Sequence, residues 1–135
     1  MILFYDACAV IYQVELKAPW YQRLQGFATR TRAANPDAQI AISALSLMEC
    51  RVQPLREGDR QRLQRFDEFF ALEQLVVVAL NASVLERAAS LRAQSSLRTP
   101  DAIQAACALS LPGEVKFLTN DAAFRRVGGL SVVLV

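Results

Sequence analysis

The stretch ILFYD, residues 2–6, places four apolar residues in a row directly before a carboxylate. The apolar run does not alternate with polar residues, which is typical of a β-strand that is buried on both faces. Further runs of the same character predict four more strands: AQIAIS (38–43), LVVVAL (75–80), VKFLT (115–119) and LSVVLV (130–135). The runs together indicate a parallel sheet of five strands.

Stretches of helical length separate these runs, and local signals mark where they begin. Asp59 and Asn81 are predicted N-caps, and Pro19 is a predicted helix start. The Pro19 stretch extends to the turn NPDA (35–38) and predicts one long helix or a helical pair. The residues predicted to face a core are Leu63, Phe66 and Phe70 after the first cap, and Val84, Leu85, Ala88 and Leu91 after the second. Strands that alternate with helices predict the α/β class, and we expect a single domain over residues 1–135.

The composition suits one substantial core, because the chain has 135 residues, of which 53% are hydrophobic and 21% charged. No uncharged apolar run approaches the ~20 residues of a membrane span. Asp6 interrupts the apolar start of the chain, unlike the apolar region of a signal peptide, so we expect a cytoplasmic protein. The apolar content also favours a surface covered by another chain, although a well-filled core would explain it equally.

Histidine is absent, which excludes a histidine general base and removes the usual nitrogen ligand of zinc. The cysteines Cys8, Cys50 and Cys107 lie far apart in apolar segments, and they are predicted to be small buried side chains. The net charge is +2, and all of the 15 basic residues except Lys17 and Lys116 are arginine. Arginine suits phosphate groups, which is consistent with nucleic-acid binding, but solvated helix faces would explain the composition as well.

Acidic residues stand at comparable positions after several of the predicted strands. Asp6 follows the first strand, Glu49 lies just past the second, and Asp121 follows the fourth. Asp101 opens the helix in RTPDAIQAACAL (98–109). In a parallel sheet the carboxyl ends of all strands lie at one edge, where open α/β folds bind ligands. The four carboxylates are therefore predicted to converge.

Each of the four acids also has a structural explanation at a helix start. These are Asp6 and Asp121 as N-caps, Ser46 and Glu49 as a capping box, and Asp101 in a first turn with Thr99 as N-cap and Pro100 at the first helical position. Two carboxylates about 5 Å apart nevertheless repel by about 3 kcal/mol at an effective dielectric constant of about 20. Nearby arginines, protonation or a divalent metal would relieve that repulsion. An oxygen-only, histidine-free set favours the hard cations Mg²⁺ and Mn²⁺.

A carboxylate site with such a cation supports phosphodiester hydrolysis. The ion makes hydroxide available near neutral pH, orients the phosphate and neutralises charge on the leaving oxygen. Thr119 and Ser43 are candidate supporting residues, because their hydroxyls can bond a water molecule or a neighbouring carboxylate. Both positions also suit strand ends or helix caps.

Segments around the four acids resemble a known family. They are FYDACAVIYQVE with Asp6, AISALSLMECRVQPLREGD with Glu49, RTPDAIQAACAL with Asp101, and FLTNDAAFRRV with Asp121. In this order and spacing, over nearly the whole chain, they resemble the PIN-domain ribonucleases and, within them, the VapC-type toxins of bacterial toxin–antitoxin pairs. The resemblance implies a three-layer α/β/α sandwich with a five-stranded parallel sheet, and endonucleolytic cleavage of RNA at an acidic Mg²⁺ or Mn²⁺ site. It also implies a homodimer that a cognate antitoxin holds inactive.

The resemblance assigns roles by position. The implied metal ligands are Asp6, Asp101, Asp121 and Glu49, the last directly or through water, and the implied hydroxyl of the TND motif is Thr119. The family usually has Thr or Ser directly after the first aspartate, whereas this chain has Ala7 followed by Cys8. A hydroxyl that would steady the site is therefore missing.

Two other functions stay open on the residues alone. A phosphoacceptor module of the response-regulator kind needs paired acids after the first strand and an aspartate after the third, but FYDAC has one acid and LVVVALNAS has none. A PIN scaffold that binds RNA or a protein partner without cutting is favoured if the Ala7 departure disables the site. The expected substrate is a single-stranded RNA loop, because duplex RNA hides its base edges in a narrow groove.

Overall fold

The computed structural model describes residues 1–135 and contains one sheet of five parallel strands. The strands are β1 (Ile2–Tyr5), β2 (Gln39–Ser43), β3 (Val76–Val78), β4 (Val115–Thr119) and β5 (Ser131–Leu134). Their order across the sheet is β3-β2-β1-β4-β5. The five predicted strands are confirmed. The third is shorter than predicted, because it lies at a sheet edge and pairs only with β2.

Seven α-helices and one 3₁₀ helix connect the strands. They are α1 (Ala7–Glu15), α2 (Trp20–Ala34), α3 (Leu45–Glu49), α4 (Val52–Glu57), α5 (Arg60–Phe70), α6 (Ala82–Gln94), α7 (Thr99–Leu109) and the 3₁₀ helix (Ala122–Arg126). The stretch after Pro19 is thus one long helix. The two predicted N-caps are confirmed, because the side chain of Asp59 accepts from the Arg62 amide and that of Asn81 from the Val84 amide. None of the helices is both long and apolar enough to span a membrane.

The sheet is buried on both faces, as its non-alternating strands predicted. In β1, Leu3 and Tyr5 belong to one core and Phe4 belongs to the other. Helices α1, α2 and α5 pack on the first face, and α6, α7 and the 3₁₀ helix pack on the second. The molecule is therefore a three-layer α/β/α sandwich, and Leu3, Phe4 and Tyr5 of its central strand β1 are fully buried.

Most predictions for single core residues are confirmed, but those for Leu63 and Leu85 are wrong. Leu63 on α5 is only partly buried and lies outside both cores. Leu85 on α6 is 44% exposed, so its predicted place in the core is wrong. The neighbouring Val84 and Ala88 are buried and bring the helix onto the sheet, which leaves Leu85 at the solvent boundary of that face. The cysteines Cys50 and Cys107 are buried, as predicted, and Cys8 is only partly buried.

The predicted N-cap of α7 is wrong. Arg98 is the N-cap, so Thr99 and Pro100 occupy the first helical positions. The Thr99 hydroxyl instead accepts a hydrogen bond of 2.8 Å from Nη1 of Arg92 on α6. Asp101 does lie in the first turn of this helix.

The predicted capping box at Ser46 and Glu49 is also wrong. The N-cap of α3 is Ala44, whose side chain makes no capping hydrogen bond. Ser46 is buried, and its Oγ accepts a hydrogen bond of 3.0 Å from Nε2 of Gln104. A partner on another helix therefore takes the place of the local capping bond.

Candidate active site

Asp6 lies at the point where the order of the strands reverses. Along the chain, β1 is followed by β2 on one side of it in the sheet, whereas β4 pairs with its other side. Ligands bind open α/β sheets in the crevice outside the carboxyl ends of the strands at such a point. Asp6 caps α1 there: its Oδ1 accepts from the Ala7 amide at 2.9 Å, and only 8% of the residue is exposed.

Thr119, at the end of β4, connects Asp6 to Asp121. The buried Thr119 hydroxyl donates to Oδ2 of Asp6 at 2.8 Å and accepts from the backbone amide of Asp121 at 3.1 Å. Asp121 is partly buried and caps the 3₁₀ helix, because its Oδ1 accepts from the Ala123 amide at 2.9 Å. The N-cap interpretations of Asp6 and Asp121 are therefore confirmed. The second carboxylate oxygen of Asp121, Oδ2, has no protein partner.

Glu49 is the last residue of α3, and its carboxylate is held by the neighbouring helix α7. Nε2 of Gln104 donates to Oε1 of Glu49 at 2.8 Å. Asp101 lies one turn earlier on α7 and is 3.6 Å from Nε of Arg98. The Arg98 side chain is 84% exposed, so this ion pair contributes little. Asp6, Glu49 and Asp121 have no basic side chain within ion-pair distance.

The carboxylates near the point where the strand order reverses act on one another through their charges. The pKa of Asp6 is raised to about 6, chiefly by burial and in smaller part by the negative charges of Glu49 and Asp101, while the hydrogen bonds from Thr119 and Ala7 limit the rise. Burial also raises the pKa of Glu49, and the charge of Asp101 adds to that rise, while the hydrogen bond from Gln104 and the charge of Arg98 lower it. Asp6, Glu49 and Asp101 thus share one electrostatic field. Together with Asp121 they form what we term the acidic edge.

The donor type and the charge of the acidic edge fit a hard divalent cation. All four side chains offer carboxylate oxygens, which Mg²⁺ and Mn²⁺ prefer, and Arg98 is the single basic group paired with any of them. The spacing is wider than coordination requires: no three Asp, Glu, Cys or His side chains lie close enough together to hold a metal ion as they stand. The structure therefore provides suitable donors and an unbalanced negative charge, without a preformed coordination sphere.

Two further residues belong to the surroundings of the acidic edge and were missed by sequence reasoning. The Cys8 thiol is 3.6 Å from Oδ2 of Asp6 and 3.6 Å from the Thr119 hydroxyl, although it was predicted to be a simple core residue. Gln104 reaches Glu49 from an otherwise apolar stretch of α7. A single polar residue among buried alanines was the available signal for Gln104. For Cys8 the signal was its place two residues after Asp6.

Ser43, a predicted supporting hydroxyl, contacts none of the four acids. Its Oγ accepts from the Leu45 amide at 3.1 Å and from the Cys107 thiol at 3.2 Å, and the residue is fully buried. It organises the turn from β2 into α3. A cavity of about 830 Å³ is also remote from the acids, because it is lined by Gln39 at the amino end of β2 and by Arg32 near the end of α2.

Solved structures of known proteins share this fold. A chain of VapBC2 from Rickettsia felis, bound to a DNA fragment from their promoter, is 19% identical, with a TM-score of 0.74 over 99% of this chain and 98% of that one. A chain of a toxin–antitoxin complex from Klebsiella pneumoniae is 23% identical, with a TM-score of 0.69 over 97% and 95%. A chain of VapBC-1 from nontypeable Haemophilus influenzae is 20% identical, with a TM-score of 0.71 over 98% and 97%. At such identities the likeness shows a common fold.

The sequence itself matches a family model. No curated protein sequence matches the chain. The model of the PIN domain, however, matches residues 6–130, which include all four acids of the acidic edge. Since this match spans nearly the whole sequence and the fold agrees with it, the chain belongs to the PIN domain family.

Proposed function

We propose that this protein is a metal-dependent endoribonuclease, formed by a single domain over residues 1–135, that acts as the toxin of a toxin–antitoxin pair. The observation that carries the proposal is that the charges of Asp6, Glu49 and Asp101 act on one another at the carboxyl edge of a PIN-domain sheet. The only ion pair that any of them makes is the one between Asp101 and the exposed Arg98. Asp6, Asp101 and Asp121 are the proposed ligands of Mg²⁺ or Mn²⁺, and Glu49 binds the ion directly or through water.

The chain's own residues prepare this site for a cation. When bound, a divalent ion supplies hydroxide near neutral pH and neutralises charge on the phosphate and its leaving oxygen. Thr119 fixes the orientation of the Asp6 carboxylate and of the Asp121 backbone through one hydroxyl. The burial of Asp6 raises the free energy of its ionised form, and a neighbouring cation would offset that cost.

Basic side chains near the acidic edge support a polyanionic substrate. Arg98 is exposed beside Asp101. Arg126, on the 3₁₀ helix that Asp121 caps, donates to the Ser96 hydroxyl at 3.1 Å and so lies beside the same loop before α7. Guanidinium groups on this side of the acids would hold phosphates that flank the one being cleaved. We infer that the substrate is unpaired RNA, whose flexible backbone can follow such a path.

An exposed apolar surface supports a protein partner. Met48, Val52 and Leu55 follow one another at helical spacing on α3 and α4, and they are 59%, 37% and 61% exposed. We term these three residues the apolar stripe. It begins next to Glu49, so a partner seated on it would cover part of the acidic edge. Because the similar solved structures include toxin–antitoxin complexes, we propose a cognate antitoxin as this partner and, by the family resemblance, a homodimer as the assembly.

A second candidate function is a PIN scaffold that binds RNA or a protein without cutting. It is favoured by the spacing of the acids, of which no three could hold a metal ion as they stand, and by Ala7 where the family usually has a hydroxyl. A phosphoacceptor signalling module has less support, because β3 (Val76–Val78) is followed by the uncharged residues Ala79, Leu80 and Asn81.

An RNA cleavage assay separates these functions. Purified protein is incubated with single-stranded RNA in chelator, in Mg²⁺ and in Mn²⁺, beside the variants Asp6→Asn and Asp101→Asn. The matched control is Asp37→Asn, which changes an exposed aspartate in the turn before β2. Cleavage that needs the ion and is lost in the two site variants, but not in the control, supports the nuclease. Cleavage that persists in both site variants contradicts the assigned site, and RNA binding without cleavage by the wild type supports the scaffold.

A further inference from the structure

The side chain of Gln104 is unusual for its position in the fold. It is 1% exposed and lies on α7 among the buried residues Ala102, Ala105, Ala106 and Cys107. Its Nε2 donates two hydrogen bonds, to Oε1 of Glu49 at 2.8 Å and to the Ser46 hydroxyl at 3.0 Å. Its Oε1 is buried and has no hydrogen-bond partner.

The amide of Gln104 is only half satisfied in this place, because its oxygen has no partner. A buried polar atom without a partner destabilises the native state, and an apolar side chain of the same volume would fill this space without one. Packing therefore does not explain the amide of Gln104. Its contribution lies in the two groups that its N–H bonds hold, both of which belong to α3.

The position of Gln104 relates two acids of the acidic edge. Asp101 lies three residues earlier on the same helix, and residues three apart share one helix face. The same face of α7 thus carries the Asp101 carboxylate and holds the Glu49 carboxylate. The negative charges of these two acids repel each other. Glu49 therefore needs a hydrogen-bond donor that keeps its carboxylate at the acidic edge.

We propose that Gln104 is a positioning residue, which anchors the Glu49 carboxylate beside Asp101 so that both acids face the same bound cation. The Ser46 hydroxyl accepts the second hydrogen bond from the Gln104 amide and helps to hold it in place. This inference rests on the proposed function, because the cation is the one proposed above. Gln104 itself is too deeply buried to touch a substrate, so it acts through Glu49.

The first measurement needs neither cation nor activity. In NMR spectra of the metal-free protein, the side-chain amide signals of Gln104 should be protected from exchange with solvent and should move in Glu49→Ala. The exposed pair formed by Gln53 and Glu57, joined by a hydrogen bond of 2.9 Å on α4, is the control. The Gln53 signals should exchange freely and should not move in Glu49→Ala. Unchanged Gln104 signals in that variant would overturn the proposal.

The second measurement is the affinity for Mn²⁺ by calorimetry, with Gln104→Met compared against Gln53→Met. Removing a group that orients a metal ligand typically weakens metal affinity by about 10- to 100-fold, so we expect at least a tenfold rise in Kd for Gln104→Met and less than a twofold change for Gln53→Met. In the RNA assay kcat should fall while KM stays constant.

Thermal unfolding distinguishes positioning from support of the fold. Metal-free Gln104→Met removes the unpartnered oxygen but also leaves the buried Ser46 hydroxyl without its partner, so its melting temperature should stay close to that of wild type. A lower melting temperature with unchanged Mn²⁺ affinity would show a structural role and overturn the proposal. If Gln104→Met does not fold, Ser46→Ala provides the test, because it removes only the hydroxyl that accepts a hydrogen bond from the Gln104 amide. Ser46→Ala should raise the Kd for Mn²⁺, and an unchanged Kd would overturn the proposal.

The two proposals fail in different ways. If wild-type protein neither binds Mn²⁺ nor cleaves RNA, the proposed function is wrong, whereas the dependence of the Gln104 signals on Glu49 is still decided by NMR. If wild type binds and cleaves but Gln104→Met does so equally well, only the positioning role is wrong.

Discussion

Replacing Asp6 by asparagine should stabilise the metal-free protein at neutral pH while it abolishes activity. The pKa of Asp6 lies at about 6, against an ordinary value of 3.8, chiefly because the carboxyl is buried. One pKa unit corresponds to about 1.4 kcal/mol, so holding the ionised carboxylate in the native state costs about 3 kcal/mol at pH 7. Asparagine avoids this cost. Its amide nitrogen cannot accept the hydrogen bond from Thr119, which costs about 1 kcal/mol, so the expected net gain is about 2 kcal/mol.

The gain should depend on pH in a defined direction. Because the folded pKa of this acid is raised, its neutral form favours the native state. The wild type keeps that stability below about pH 4 and loses it as the pH rises through about 6. The advantage of Asp6→Asn should therefore be absent near pH 3.5, grow between pH 4 and 6, and stay constant above.

Thermal and urea unfolding in EDTA, followed by circular dichroism, measures this difference. A gain of about 2 kcal/mol should raise Tm by roughly 8 °C at pH 7 in a chain of this size. Asp37→Asn, the exposed control, should change Tm by less than about 2 °C at every pH. With saturating Mn²⁺ the order should reverse, since only the wild type is stabilised by the ion. A pH-independent loss of stability in Asp6→Asn would refute the reasoning about its buried charge.

Three further outcomes are expected. Thr119→Val should lower the rate of RNA cleavage about tenfold or more and raise the pKa of Asp6 further, because a hydrogen bond to the carboxylate is lost. Thr119→Ser should retain activity, and equal rates for the two variants would contradict the role of the hydroxyl. Arg98→Gln should weaken RNA binding and reduce the slope of log K against log salt by about 0.7, measured by fluorescence anisotropy, and an unchanged slope would remove Arg98 from the phosphate path. Leu55→Glu should prevent co-purification with the cognate antitoxin without lowering Tm, because this side chain is 61% exposed; a retained complex would place the partner elsewhere.

Most of the fold could be predicted because its signals are local. Apolar runs without alternation, such as ILFY and LVVVAL, have few alternatives to strands buried on both faces. The caps Asp59 and Asn81 satisfy backbone amides within three residues of themselves, so their bonds can be inferred from the sequence. Local signals failed where a distant partner competed. Ser46 bonds to Gln104, 58 residues away, instead of capping its own helix, and Thr99 bonds to Arg92.

The candidate site could be predicted only as a set of residue types at one edge of a sheet. The sequence placed the four acids after strands or at helix starts, and the parallel sheet brings them to a common edge. Its contacts could not be predicted, because each joins residues far apart in the chain. Thr119 meets Asp6 across 113 residues, and Gln104 meets Glu49 across 55. The spacing of the acids, too wide for a preformed metal site, was equally invisible.

The sequence by itself determined the class of fold, the succession of strands and helices, and the chemical character of the acidic edge, since hydrophobic periodicity and carboxylate content are properties of the chain. Only the tertiary structure decided the strand order, the burial that raises the pKa of Asp6, and the hydrogen bonds that orient Asp6 and Glu49. The physical reason is that desolvation and hydrogen-bond geometry depend on neighbours in space, which in this fold come from helices and strands distant in sequence.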